Sequence, residues 1–157
     1  MDVKIKTDAM KFKYRVSGVI LENNKILLEK YGENSFCLPG GYVNIGETSE
    51  EAILRELKEE ITFDFKILEF LGVAENFFTN FRSEKTHGIE FYYKVEFKYK
   101  NDINNIDYKY VEDDHGHIVN HDLKWFDICD LKKVDLRPAE IKDAIINEQR
   151  NFHYIIK

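Results

Sequence analysis

The chain has 157 residues, 43% of them hydrophobic and 14% aromatic, a composition that supports a packed core and excludes a disordered chain. Its formal net charge of -6 argues against broad binding to duplex nucleic acid or to an anionic membrane, yet leaves room for a small phosphorylated ligand held locally or through a metal ion. Cys37 and Cys129 stand far apart outside any CxxC pattern, and there is neither an apolar leader nor a long apolar run. Free thiols, a cytoplasmic location and no membrane partner are the expectations.

Residues 1–12 are polar and are expected to be a loose segment of a single domain covering 1–157. "YRVSGVILENNKILLEKYG" then reads as a hairpin with arms Val16 to Leu21 and Ile26 to Tyr31, and Asn23-Asn24 supply the positive φ angles of its turn. "SFCLPGGYVNIGE" is short, apolar and broken by Pro39-Gly40-Gly41, which predicts strand fragments around a tight loop. A helix follows. Thr48 with Glu51 makes a capping box, and Ile53, Leu57 and Ile61 form a buried stripe at every fourth position.

From Phe63 the period becomes two. "FDFKILEFLGVAENFF" and "IEFYYKVEFKYK" read as strands, and in the second Phe91, Tyr93, Val95, Phe97 and Tyr99 define a buried face opposite a wet one. "NDINNIDYKYVEDDHGH" reads as a polar acidic loop, and "HDLKWFDI" as a short strand with Trp125 in the core. Pro138 opens a second helix, and "NFHYIIK" is a short strand or docked coil. The predicted class is α+β, an α/β/α sandwich in which a mixed sheet is flanked by the two helices.

Glu56, Glu59 and Glu60 stand at i, i+3 and i+4, so their carboxylates share one helix face beside the apolar stripe. Such like charges repel by a few tenths of a kcal/mol per pair. A solvated acidic face with paired charges is the bland explanation; a hard divalent cation, which prefers oxygen ligands, is the functional one. Arg55 beside the cluster can pair with Glu47 or Glu51.

Gly41, five residues, Glu47, seven residues, then Arg55-Glu56-Leu57-Lys58-Glu59-Glu60 resembles the Nudix box, G-x5-E-x7-R-E-U-x-E-E-x-G-U. Phe63 stands in for the final aliphatic residue, and Thr62 replaces the family's glycine. A β-branched residue resists the left-handed conformation that glycine would take there, so a different helix exit is expected, with an intact site.

The resemblance implies a pyrophosphohydrolase that cleaves a phosphoanhydride bond in a nucleoside diphosphate linked to another group, using Mg²⁺ or Mn²⁺. It implies that Glu59, Glu60 and the Gly40 carbonyl hold the metal. Glu56 is implied as a ligand or base, and Glu47 and Arg55 as its orienting neighbours. Such a protein has a small nucleotide-type substrate as its partner; the oligomeric state stays open, a homodimer included. A distal carboxylate is sought among Glu90, Glu112, Asp113 and Asp114, with Glu112 also a substrate contact. His87, His115, His117, His121 and His153 read as exposed. Phe77, Phe78 and Phe81 are candidates to stack a base, against ordinary core packing.

One rival is a non-catalytic Nudix-fold nucleotide-binding or regulatory module, disfavoured because all three box glutamates are present. Another acts on RNA ends, disfavoured because no basic stripe interleaved with aromatics stands out. Some ADP-ribose-cleaving relatives carry a proline about fifteen residues beyond the box. None occurs here between Pro39 and Pro138, which lowers that substrate without excluding it.

Overall fold

The structure, a computed structural model, describes residues 1–31, 33–79, 83–99, 108–114 and 117–157; for 108–114 and 117–121 it describes the backbone alone. The predicted hairpin is strand β2 (Lys11–Glu22) and β3 (Lys25–Tyr31), turned by Asn23 and Asn24 at φ 50° and 62°. β2 begins five residues before the predicted arm, and its first residues pair with β1 (Lys4–Lys6) in the register Lys4 to Lys13. The N-terminal segment expected to be loose is thus a sheet edge. Its lysines hid the pattern: in "KFKYRVS" every second residue is polar and faces one side.

Short strands β4 (Ser35–Cys37) and β5 (Gly40–Tyr42) flank the Pro39 turn, and β5 pairs with β2. Helix α1 (Ser49–Ile61) follows, its capping box formed as predicted between Thr48 and Glu51. Then come β6 (Phe65–Thr79), β7 (Lys85–Phe97), β8 (Tyr108–Asp114) and β9 (His117–Asp127). A 3₁₀ helix (Ile128–Lys133), α2 (Ala139–Ile146) and β10 (Phe152–Ile156) complete the chain. The stretch expected to be an acidic loop is therefore partly a strand. Tyr108–Asp114 pairs antiparallel with β9, and backbone pairing overrides the acidic composition.

The described strands run β10-β6-β7-β2-β3-β9-β8 across a mixed sheet: β2 and β7 are parallel, as are β10 and β6, and the hairpins are antiparallel. Both faces are covered. Val16, Ile20, Leu27, Tyr93, Val95 and Phe97 pack with Ile53, Leu57 and Ile61 of α1. On the other face Val19, Ile26, Leu28 and Tyr92 pack with Leu131 and Ile141. Alternation along each strand sends successive residues to the two cores. Tyr92, expected on a wet face, is 1% exposed because the α2 layer lies over it. The molecule is an α+β sandwich with α1 on one face and α2 on the other.

Thr62 is the clear departure. It caps α1 at φ 65°, ψ 3°, and its N–H donates to the Lys58 carbonyl. The residue takes the left-handed conformation its branched side chain disfavours. The helix ends where the glycine would end it, and threonine bears the strain.

Candidate active site

The box residues converge where α1 crosses β5. Arg55 is the hub: its Nε and Nη2 donate to the two oxygens of Glu47 at 2.7 and 2.8 Å, a paired fork. Nη2 also donates to the Tyr42 carbonyl at 2.9 Å, and Nη1 to Glu56 at 2.7 Å and Glu59 at 3.3 Å. Of the two expected partners, Glu47 takes the arginine, while Glu51 is spent on the cap. The Arg55 bond holds the Glu47 carboxyl below its usual pKa; burial works against it, and the Asn44 N–H adds a smaller lowering contribution.

The three box glutamates have different surroundings. Glu60 is buried and accepts the Gly40 N–H at 3.1 Å. Burial raises the Glu56 pKa, and the neighbouring Glu59 adds to this against the opposing pull of Arg55. Glu59 is open, with 60% of its side chain exposed. The two glycines make this packing possible. A Cβ on Gly41 would collide with the Glu56 carboxylate, and one on Gly40, at φ 148°, with the Val16 carbonyl.

Among the described residues, no group of three acidic, histidine or cysteine side chains stands ready-made around a metal position; Arg55 occupies the midst of Glu47, Glu56 and Glu59 instead. The donor set still fits a divalent ion. It consists of hard oxygens, and burial raises the Glu56 pKa despite its ion pair with Arg55, a shift that a divalent ion would oppose.

Next to the box lies a groove of about 1010 Å³ whose lining includes Lys13, Arg15, Ser17, Phe78, Gly88 and Glu90. Register across β2, β7 and β6 builds its floor. Arg15 lies beside Glu90, which pairs with Ala74; Lys13 lies beside Gly88, which pairs with Asn76. Glu90 accepts hydrogen bonds from Ser17 at 2.5 Å and Tyr92 at 3.0 Å, and Arg15 Nε lies 3.7 Å away. That Nε is buried with no hydrogen-bond partner among the described residues, and Arg15 Nη2 reaches the Gly40 carbonyl only at 3.5 Å. Burial works against the Arg15 charge, but Glu90 and then Tyr42 outweigh it, and the pKa is raised. Lys4, Lys13 and Arg15 all lie within 6 Å of the Tyr42 ring, at 5.1, 5.6 and 5.4 Å. A basic, aromatic stripe therefore exists after all: Lys11, Lys13 and Arg15 alternate along β2, a pattern obscured when residues 1–12 are read as loose.

Of the three expected base-stacking residues, strand alternation turns Phe77 and Phe78 to opposite faces, although both contribute atoms to the groove lining. Phe77 pairs with His87 across the strands and stacks on its ring at 4.2 Å, on the face that also carries Phe12. Phe78 is on the groove face and 38% exposed. His87, expected to be exposed, is half-buried and bonded to Glu75 at 2.9 Å. Phe81 and His115 lie outside the described residues, as do the side chains of Glu112, Asp113, Asp114, His117 and His121. Arg15, Ser17 and Tyr92 were missed by sequence reasoning. The polar alternation of β2 was the available signal for the first two.

These features define a carboxylate-rich helix set against a glycine turn beside a cationic groove. A family model described as the NUDIX domain matches residues 11–145, and the chain belongs to that family. It is 50% identical over 62 residues to an ADP-ribose pyrophosphatase of Methanocaldococcus jannaschii, covering 37% of each chain. It is 36% identical over 62 residues to an RNA pyrophosphohydrolase of Edwardsiella ictaluri, covering 38% of this chain and 35% of that one. The chain thus spans little more than a third of the length of these curated relatives. A crystal structure of a UDP-X diphosphatase shares the fold with a TM-score of 0.59 at 24% identity, over 94% of this chain and 69% of that one.

Proposed function

We propose that this single domain is a cytoplasmic, metal-dependent pyrophosphohydrolase that cleaves a phosphoanhydride bond in a nucleoside diphosphate linked to a further group. The observation that carries the reading is the convergence of Glu56 and Glu60 on Gly40-Gly41, with Glu59 joined to Glu56 through Arg55, and with Arg15 of the neighbouring groove reaching toward the Gly40 carbonyl. Glu59, Glu60 and the Gly40 carbonyl are the ligands for Mg²⁺ or Mn²⁺. The bound ion would offset phosphate charge and acidify a water molecule. Glu56 completes the ligand set or takes the proton of the attacking water. Arg55 and Glu47 hold Glu56 and the Tyr42 carbonyl in place. Glu90 faces the groove rather than the box glutamates and is the described candidate for a distal carboxylate. Arg15 and Lys13 bind phosphate oxygens, and Phe78 stacks the base.

The name of the Methanocaldococcus relative favours ADP-ribose, the missing proline disfavours it, and nucleoside triphosphates and nucleotide sugars remain in the proposed class. A second reading, action on RNA 5′ ends, is favoured by the Lys11/Lys13/Arg15 stripe and by the name of the Edwardsiella relative. The test is a panel of nucleoside triphosphates, ADP-ribose, dinucleoside polyphosphates, nucleotide sugars and a 5′-triphosphorylated oligonucleotide, with Mg²⁺ or Mn²⁺. Turnover should fall by orders of magnitude in Glu59→Gln and Glu60→Gln. Near-normal rates in both would overturn the assignment, and binding without turnover would select the non-catalytic nucleotide-binding module.

A further inference from the structure

We infer that Gly88 is a specificity-determining position whose missing side chain makes room for the nucleoside part of the substrate, an inference that rests on the function proposed above. Glycine inside a central strand weakens it, so its presence asks for a local reason. The two usual reasons are absent here. Gly88 has no left-handed φ, and among the described residues the nearest atom to an added Cβ is the Asn76 carbonyl at 3.8 Å, an ordinary contact. Gly72, in the neighbouring strand, is the contrast: it has a positive φ, and a Cβ there would collide with Phe152.

Gly88 lies in the groove floor between Lys13 on β2 and Asn76 on β6. A Cβ there would enter the groove with only an ordinary contact to the described residues. Gly88 lies two strand spacings across from Gly40, roughly 9.6 Å, and four residues along the strands, roughly 13 Å, so the two are roughly 16 Å apart. Phosphates held by Arg15 would set the attached ribose and base over this gap. Phe78 offers a ring face, and Asn76 has an amide that can both donate and accept. The buried Arg15 Nε, charge-paired with Glu90 at 3.7 Å yet without a hydrogen-bond acceptor among the described residues, leaves a donor for a ligand oxygen at the near end of the same floor.

Gly88→Ala and Gly88→Val test the idea. Both should keep the circular dichroism spectrum of the wild type and melt at or above its temperature. For the best nucleotide substrate of the panel, Gly88→Val should raise KM at least tenfold and leave kcat within about threefold, with Gly88→Ala between it and wild type. Calorimetric binding of ADP should weaken by the same factor, a readout that does not depend on turnover. Unchanged KM and ADP affinity in folded Gly88→Val would overturn the inference while the hydrolase reading stands. So would a fall in kcat with KM unchanged, because that places the damage at the box. A wild type that binds ADP but turns over nothing removes the hydrolase reading and leaves the Gly88 inference to the binding experiment.

Discussion

Arg55 contributes five hydrogen bonds, two of them to one carboxylate, and this pair is shielded: Glu47 and Arg55 side chains are 15% and 28% exposed. Charge-assisted bonds of this kind contribute about 2 kcal/mol each when removed. Glu47→Gln should therefore lower stability by about 2 kcal/mol at neutral pH, read from urea unfolding. Its folded-state pKa is depressed, so this stability is present above the ordinary glutamate pKa of about 4.3 and is lost as pH falls through the folded value. The gap between wild type and variant should close toward acid; a gap that persists at about pH 2 would assign the loss to packing. The spacing left Arg55 with Glu47 or Glu51, the family resemblance favoured Glu47, and the structure selects Glu47 because the Glu51 side chain is held in the cap. The Ser17–Glu90 pairing, across 73 residues, was not legible. It exists only through the register of β2 on β7, which local patterns do not specify.

Helix α1 was legible throughout, from its cap to its stripe, because cap, period and motif agree. Its end was misjudged at Thr62. Propensity argued for another exit, but the next strand begins at Phe65 and leaves little chain in which to turn. Thr62→Gly should relieve the left-handed strain and stabilise the fold by about 1 kcal/mol, offset in part by the freedom glycine gains when unfolded. A shift of the urea midpoint at unchanged slope would check this, and a destabilised variant would mean that the bond from Thr62 Oγ1 to the Ile61 carbonyl matters more. β8 was missed for the opposite reason: its acidic residues carry no strand signal, and the pairing comes from β9.

At the scale of the whole molecule, net charge and local field have opposite signs. The chain carries -6, yet Lys11, Lys13 and Arg15 line one face of β2 and approach the box. An anionic substrate should feel the local field, screened over about 10 Å at 0.1 M salt. Raising ionic strength from about 0.05 to 0.5 M should increase KM several-fold and leave kcat nearly constant; a salt-independent KM would argue that these cations do not meet the substrate. The α/β/α layering, with a helix on each face of a mixed sheet, was legible from the order of elements, but which strand residues each face buries was not. Tyr92 reads as polar alternation until α2 is known to lie over it.

The Arg55 hub has one more consequence. The box glutamates hold their places through arginine and backbone contacts that need no ion, so folding and metal loading are separable events. Removing divalent ions with a chelator should abolish turnover while the circular dichroism spectrum stays unchanged. The unfolding free energy should fall only by the mass-action share of binding, about 2.7 kcal/mol at a hundredfold excess over Kd. Re-adding Mg²⁺ should restore activity without a refolding lag. On the proposed function, such a protein would idle intact when free metal is scarce and resume work when it returns, with ion supply as a reversible throttle.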